Sequence, residues 1–155
     1  MDIEKEIGQQ VFRSDRQKGI INMVYTYNWM IEKMKHRLDE FDLTMQQFNI
    51  LRILRGAQGP LSTLQIRERM LDKMSDTSRI VDRLIIKELA QKNTCPRDKR
   101  LVDVLITGKG LELLAKLDLH ADELDAIIEN LSSAELQQLN YLLDKIRHTP
   151  ALTES

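Results

Sequence analysis

From Leu61 to Gly110 the hydrophobic period switches from helical to alternating and back, and few folds accept such changes in so short a span. The stretch reads as two short helices, a basic hairpin and the start of a long helix. Ser62, with Gln65 three residues on, has the spacing of a capping box and opens the first helix. Leu64, Ile66 and Met70 form its apolar side, and it fades near Leu71-Asp72-Lys73. The second helix is expected to start at Ser75 as N-cap, with Asp76 in the positive first turn. Ile80, Val81, Leu84 and Ile85 recur at three- and four-residue spacing and predict its buried stripe.

The opposite side of that second helix shows Ser75, Ser78, Arg79, Asp82 and Arg83. Arginine can make two parallel hydrogen bonds to a guanine edge, and short hydroxyls allow close approach to a duplex. Taken alone, an ordinary amphipathic helix with a solvated face is the preferred account. The hairpin changes the balance. Leu89 to Asn93 and Leu101 to Ile106 read as strands, the second alternating around Val102, Val104 and Ile106. Between them Thr94-Cys95-Pro96-Arg97-Asp98-Lys99-Arg100 carries three basic residues and one acid. A basic tip on a stiff hairpin suits a minor groove, where narrow A·T tracts concentrate negative potential. Asp98 would orient a neighbouring guanidinium, either Arg100 or an arginine of the preceding helix. A solvated turn is the alternative for the charge run alone.

In this order the pieces resemble the DNA-binding core of the MarR (multiple antibiotic resistance regulator) family. The resemblance rests on Ser75 through Leu84, on Asp98-Lys99-Arg100 as the family's D-x-R wing element, and on Leu105-Ile106-Thr107-Gly108-Lys109-Gly110 at the strand-to-helix junction. Leu43 to Phe48 resembles the family's entry to its second helix. The motifs cover about half the chain. The resemblance implies a mainly α fold with a small β wing, a winged helix-turn-helix flanked by N- and C-terminal dimerisation helices. It implies segments 1–43 and 111–155 for dimerisation and 44–110 for the DNA-binding lobe. The candidate DNA-binding residues are Ser75, Thr77, Ser78, Arg79, Arg83, Arg97, Asp98, Lys99 and Arg100, and the partners are double-stranded DNA and a second copy of the chain. Two positions depart from the family pattern. Glu88 stands where glycine usually follows the recognition helix, so that terminus is expected to end without a left-handed cap. Leu101 stands where a second wing arginine is common, leaving the minor groove mostly to Arg100 and the backbone to Lys99 and Arg97.

A net charge of −1 argues at first against a polyanionic partner, but the distribution reverses the argument. Arg52 to Lys109 holds 13 Lys/Arg against 7 Asp/Glu, while the rest of the chain holds 10 against 17. A basic middle between acidic ends is the footprint of a module that grips a polyanion through one face. The 155 residues suggest one domain. No apolar run is long enough to span a membrane, and MDIEKEIGQQ lacks a signal-peptide core, so a cytoplasmic protein is expected. The single cysteine, Cys95, excludes an internal disulfide framework. Its place in the wing raises redox control as one alternative, although redox-sensing relatives carry their reactive cysteine near the first helix. An incidental thiol is preferred.

Outside the basic centre, Ile3, Ile7 and Val11 predict a short helix with a narrow stripe. Asp15 to about Glu40 predicts a long one, with Ile20, Val24, Tyr27, Ile31, Met34, Leu38 and Phe41 in a heptad-like seam. Thr44 and Gln47 predict a capping box before Phe48, Leu51 and Leu54. Thr107 is expected to cap one long helix carrying Leu114, Leu117, Ala121, Leu124, Ile128 and Leu131, with Ser132 and Glu135 opening the last. Such seams bury little within one chain, so dimerisation is preferred over an intramolecular bundle.

No catalytic constellation is readable, and an enzyme is not expected. His120 and Glu123 form a weak metal pair better read as a surface ion pair, and Gly108-Lys109-Gly110 is too short for a phosphate loop. No metal or cofactor is expected. Tyr27 and Trp29, with Met23 and Met30, could border a cavity for a small aromatic effector, the ligand class the resemblance implies. The reading is a DNA-binding transcription regulator, a dimeric repressor of palindromic operators released by an effector. The alternative from another class is a protein-interaction module docking an acidic partner.

Overall fold

The computed structural model describes residues 2–94 and 102–148. Its helix starts are set by local side chains. Ser14 opens α2 (Asp15–Asp39) by accepting from the Gln17 amide at 3.3 Å. Thr44 and Gln47 close a full capping box on α3 (Met45–Gly56), as do Ser62 and Gln65 on α4 (Thr63–Arg69). Each box satisfies two amides that the first helical turn would leave unpaired.

The chain falls into two compact units. The first, ending at Leu119, holds α1 (Ile3–Glu6), α2, α3, β1 (Leu61–Ser62), α4, α5 (Thr77–Ile86), β2 (Ala90–Thr94), β3 (Val102–Ile106) and α6 (Gly108–Asp118). The sheet is antiparallel in the order β1-β3-β2. Lys92 faces Val104 across one ladder and Leu61 faces Val104 across the other. Strand β1 was not anticipated. Two residues carry no readable period, and its pairing is with a strand far along the chain.

The core of this unit gathers one side of every element from α2 onward. Leu38 from α2, Ile50 and Leu51 from α3, Ile66 from α4, Val81 and Leu84 from α5, Val104 from β3 and Leu114 from α6 are buried together. Burying such a side chain contributes about 1.5–3 kcal/mol. Leu64, expected on the inner side of α4, is 63% exposed, because only Ile66 and the following Met70 reach the core from there. Arg55 grips Asp118 with two hydrogen bonds of 2.5 and 3.3 Å and ties α3 to α6.

The N-terminal segment is shorter than its apolar spacing suggests. Helix α1 is a single turn that closes before Gly8 at φ +66°, and Val11 is 80% exposed. It is held on α2 by polar links, Glu4 to Lys18 at 2.5 Å and the Tyr25 hydroxyl donating to Glu6 at 2.7 Å.

The second unit begins at His120, with α7 (Ala121–Asp125), a 3-10 turn (Ala126–Ile128) and α8 (Ser133–Arg147) capped by the Ser132–Glu135 box. The single long helix expected after Thr107 is therefore broken. Leu119 ends α6, His120 adopts φ −108° and ψ 16°, and the Glu123 amide bonds back only three residues, to the His120 carbonyl. The apolar stripe runs on across this break because periodicity counts side chains and is blind to one lost ladder bond. His120 Nδ1 lies 2.9 Å from Glu123, an i,i+3 pair on the surface.

Candidate nucleic-acid interface

Helix α5 is the centre of the site. Its N-cap is Asp76, whose carboxylate accepts from the Arg79 amide at 3.2 Å, not Ser75 as the sequence suggested. Ser75 closes the preceding turn instead, its hydroxyl donating to the Asp72 carbonyl at 2.8 Å. A carboxylate one residue later takes the cap because the Ser75 hydroxyl is engaged behind it. That turn is braced from α3, where Asn49 accepts from the Leu71 amide at 2.9 Å, and by Asp72, which accepts from the Met74 amide at 3.0 Å.

One face of α5 is exposed along Ser78, Arg79, Asp82, Arg83 and Ile86, with Ser75 half-buried at its start. The opposite face buries Val81 and Leu84. Among the described residues, the guanidinium groups of Arg79 and Arg83 carry no hydrogen bond or ion pair, so both are available to a ligand. Thr77 sits apart from the other candidates. It is only 4% exposed, and its hydroxyl has no hydrogen-bond partner among the described residues. Its spacing of four and seven residues from Val81 and Leu84 puts it on the buried stripe, a signal present in the sequence.

The end of α5 corrects another expectation. Glu88 stands at φ +61°, in the left-handed region. The Leu89 amide bonds the Leu84 carbonyl at 2.9 Å and the Glu88 amide bonds the Ile85 carbonyl at 2.9 Å. These are the two bonds of a Schellman cap, completed here without glycine. The following junction holds Glu88 in place. Thr107 donates its hydroxyl to the Glu88 carbonyl at 2.7 Å and accepts from the Gly110 amide at 3.1 Å, capping α6 at the same time. Lys109 reaches the Glu88 carboxylate at 2.9 Å and holds it below its ordinary pKa. Gly110 is required by close approach, since a Cβ there would lie 2.4 Å from the Leu89 carbonyl oxygen.

Strands β2 and β3 form the stem of a hairpin beside α5. Lys92 on β2 pairs with Asp82 on α5 at 2.5 Å. Neither residue's partnership was readable in the sequence. Arg97, Asp98, Lys99, Arg100 and Cys95 lie outside the described residues, as does Leu101.

A hollow of about 310 Å³ opens between α2, α3 and the turn before α5, lined by Tyr27, Ile31, Met34, Phe48, Arg52 and Met70 among others. Arg52 stacks over the Phe48 ring at 5.7 Å. Trp29 borders a separate hollow of about 280 Å³ with Ile3 and Tyr25.

A capped reading helix followed by a two-stranded stem, packed on a helical core, defines a winged helix-turn-helix protein of the DNA-binding class. The MarR family model matches residues 43–102, from the turn before α3 to the wing. The transcriptional regulator MhqR of Bacillus subtilis is 30% identical over 132 residues, covering 83% of this chain and 89% of its own. A mutant MarR from E. coli, solved with operator DNA, superimposes with a TM-score of 0.72 at 25% identity over 80% of this chain and 89% of that one. BpsR of Bordetella bronchiseptica, whose DNA binding is regulated by 6-hydroxynicotinic acid, shares the fold with a TM-score of 0.71 at 24% identity, covering 81% of this chain and 95% of that one. The chain belongs to the MarR family of DNA-binding transcription regulators. No described helix is long and apolar enough to cross a membrane.

Proposed function

We propose that the protein is a dimeric cytoplasmic repressor that binds palindromic operators and lets go when a small aromatic effector binds. The observation that carries the reading is a pair of exposed arginines, Arg79 and Arg83, unpartnered among the described residues, on a helix whose other face is anchored in the core. Ser75 and Ser78 line the same approach, so Arg79 can reach a guanine edge while Arg83 meets phosphate. Arg100 reads the flanking minor groove, Asp98 orients it, and Lys99 and Arg97 hold the backbone. The protein binds and releases; it does not catalyse.

Dimerisation is supported by what one chain leaves uncovered. Ile20, Val24 and Tyr27 on α2 are 60%, 56% and 62% exposed, and Leu139, Leu142 and Ile146 on α8 are 39%, 44% and 53% exposed. Residues 1–43 and 111–155 thus supply the seam between copies, and 44–110 the DNA-binding lobe. A twofold dimer presents two α5 helices to half-sites about one turn, ~34 Å, apart.

Effector release fits the hollow between α2, α3 and the turn before α5. Phe48 and the methionines offer an apolar bed, and Arg52 a cation for a carboxylate or phenolate substituent. Tyr27 belongs both to this hollow and to the exposed seam, so an occupant bears on dimer geometry and on the approach to α5 together. A coupling of about 1–3 kcal/mol is the usual scale.

Selection of bound duplexes from a random pool, followed by sedimentation and an effector-release screen of aromatic acids, tests the reading. Inverted repeats and a two-chain complex are expected. An unenriched pool, or a monomer bound to a single half-site, would overturn it.

A further inference from the structure

Asp82 is a carboxylate in the middle of the arginine face. It stands three residues from Arg79, the spacing at which helix side chains meet. An aspartate so placed would be expected to take Arg79 for itself. It does not. Its carboxylate is turned to Lys92 on β2 at 2.5 Å, and Arg79 is left without a partner among the described residues. Both members of the pair are substantially exposed, 57% and 41% at their side chains, so the pair adds little to folding stability. Its consequence is for which groups the face offers.

We propose that Lys92 is a positioning residue for DNA reading: by holding Asp82 it keeps the Arg79 guanidinium free for a base edge and fixes the hairpin stem against α5. The inference rests on the assignment of the α5 arginine face to DNA and adds a residue to it. Lys92 need not touch DNA. It acts by occupying the only acidic side chain on the exposed face of α5. Without it, Asp82 is both an unneutralised charge facing phosphate and a competitor for Arg79.

The test is a set of affinities measured on the duplex that the wild-type protein selects from a random pool, and on a scrambled duplex of the same composition. Lys92→Met should lose sequence preference as Arg79→Ala does, by about tenfold or more if a bidentate contact is at stake. Asp82→Asn added to Lys92→Met should restore most of that preference, and Lys92→Arg should retain it throughout. Thermal unfolding of each variant should stay close to wild type. If the double variant is as impaired as Lys92→Met alone, Lys92 contacts DNA directly and the proposal falls. It falls equally if Lys92→Met keeps full preference. Should Arg79→Ala itself leave preference intact, the base-reading assignment of the helix fails instead, and the two failures are told apart.

Discussion

Glu88 adopts a left-handed backbone at φ +61°, and its carboxylate lies 2.9 Å from Lys109. The first property is one that side chains other than glycine avoid. The second, with the Thr107 hydroxyl on the Glu88 carbonyl, shows how the junction holds a residue there. Helix α5 ends beside the start of α6, and each terminus supplies the other with hydrogen-bonding partners.

Acid should loosen this junction. Lys109 lowers the Glu88 pKa below 4.5, first by a hydrogen bond and then by its charge. A carboxylate depressed on folding contributes stability that is present above its unfolded pKa and is lost as pH falls through the folded value. Glu4, lowered by Lys18, and Glu135, lowered by Ser132, act in the same direction. Urea unfolding followed from neutral pH into acid should therefore show stability falling once the pH drops below 4.5, and Glu88→Gln should make that fall shallower. The effect should shrink in high salt because the pair is exposed. An unchanged slope in the variant would remove Glu88 from the acid response.

Thr77→Val should stabilise the protein. The Thr77 hydroxyl is buried without a partner among the described residues, a state that costs about 1–3 kcal/mol, and valine keeps the shape. Chemical denaturation should show a gain of about 1 kcal/mol, with operator affinity unchanged. A loss of affinity at constant stability would return Thr77 to the DNA contacts.

Gly110→Ala should do the reverse. Its Cβ would meet the Leu89 carbonyl oxygen at 2.4 Å and Ile106 Cγ1 at 2.8 Å, and the first of these is backbone that cannot turn aside. The cost should be about 1–3 kcal/mol, the range for overpacking a tight interior. Wild-type stability in the variant would mean that the junction between β3 and α6 yields more readily than its geometry implies.

The contacts to DNA should separate by kind. Arg79→Ala should cost about 1–3 kcal/mol of discrimination against the wrong base. Arg100→Ala should weaken binding most on sites with A·T-rich flanks. Lys99→Ala should weaken all sequences alike and lower the salt slope by about one. Binding titrations across a salt series distinguish these patterns. Equal, sequence-blind losses from all three would sink the base-reading role of Arg79.

What could be read in advance was whatever is local. The boxes at Thr44, Ser62 and Ser132 and the cap at Thr107 depend on residues three apart, and the structure bears out each. The stripe of Val81 and Leu84 was equally plain. Long-range relations were not. Nothing in the chain announces that Lys92 turns to Asp82, or that Leu61 pairs with Val104. The left-handed Glu88 is not legible because local propensity opposes that conformation, while the compensating bonds come from Thr107 and Lys109, a strand pair away. The break at His120 was hidden by a stripe that continues through it.

Ser62 belongs at once to the sheet, opposite Asp103, and to the opening of α4, whose Gln65 amide it caps. The strand laid against the hairpin stem and the start of α4 therefore share a single residue, with no slack between them. In the proposed complex, a twist imposed on β3 by DNA would pass through Ser62 straight into α4. Lengthening the chain at this point by even one residue would uncouple the two.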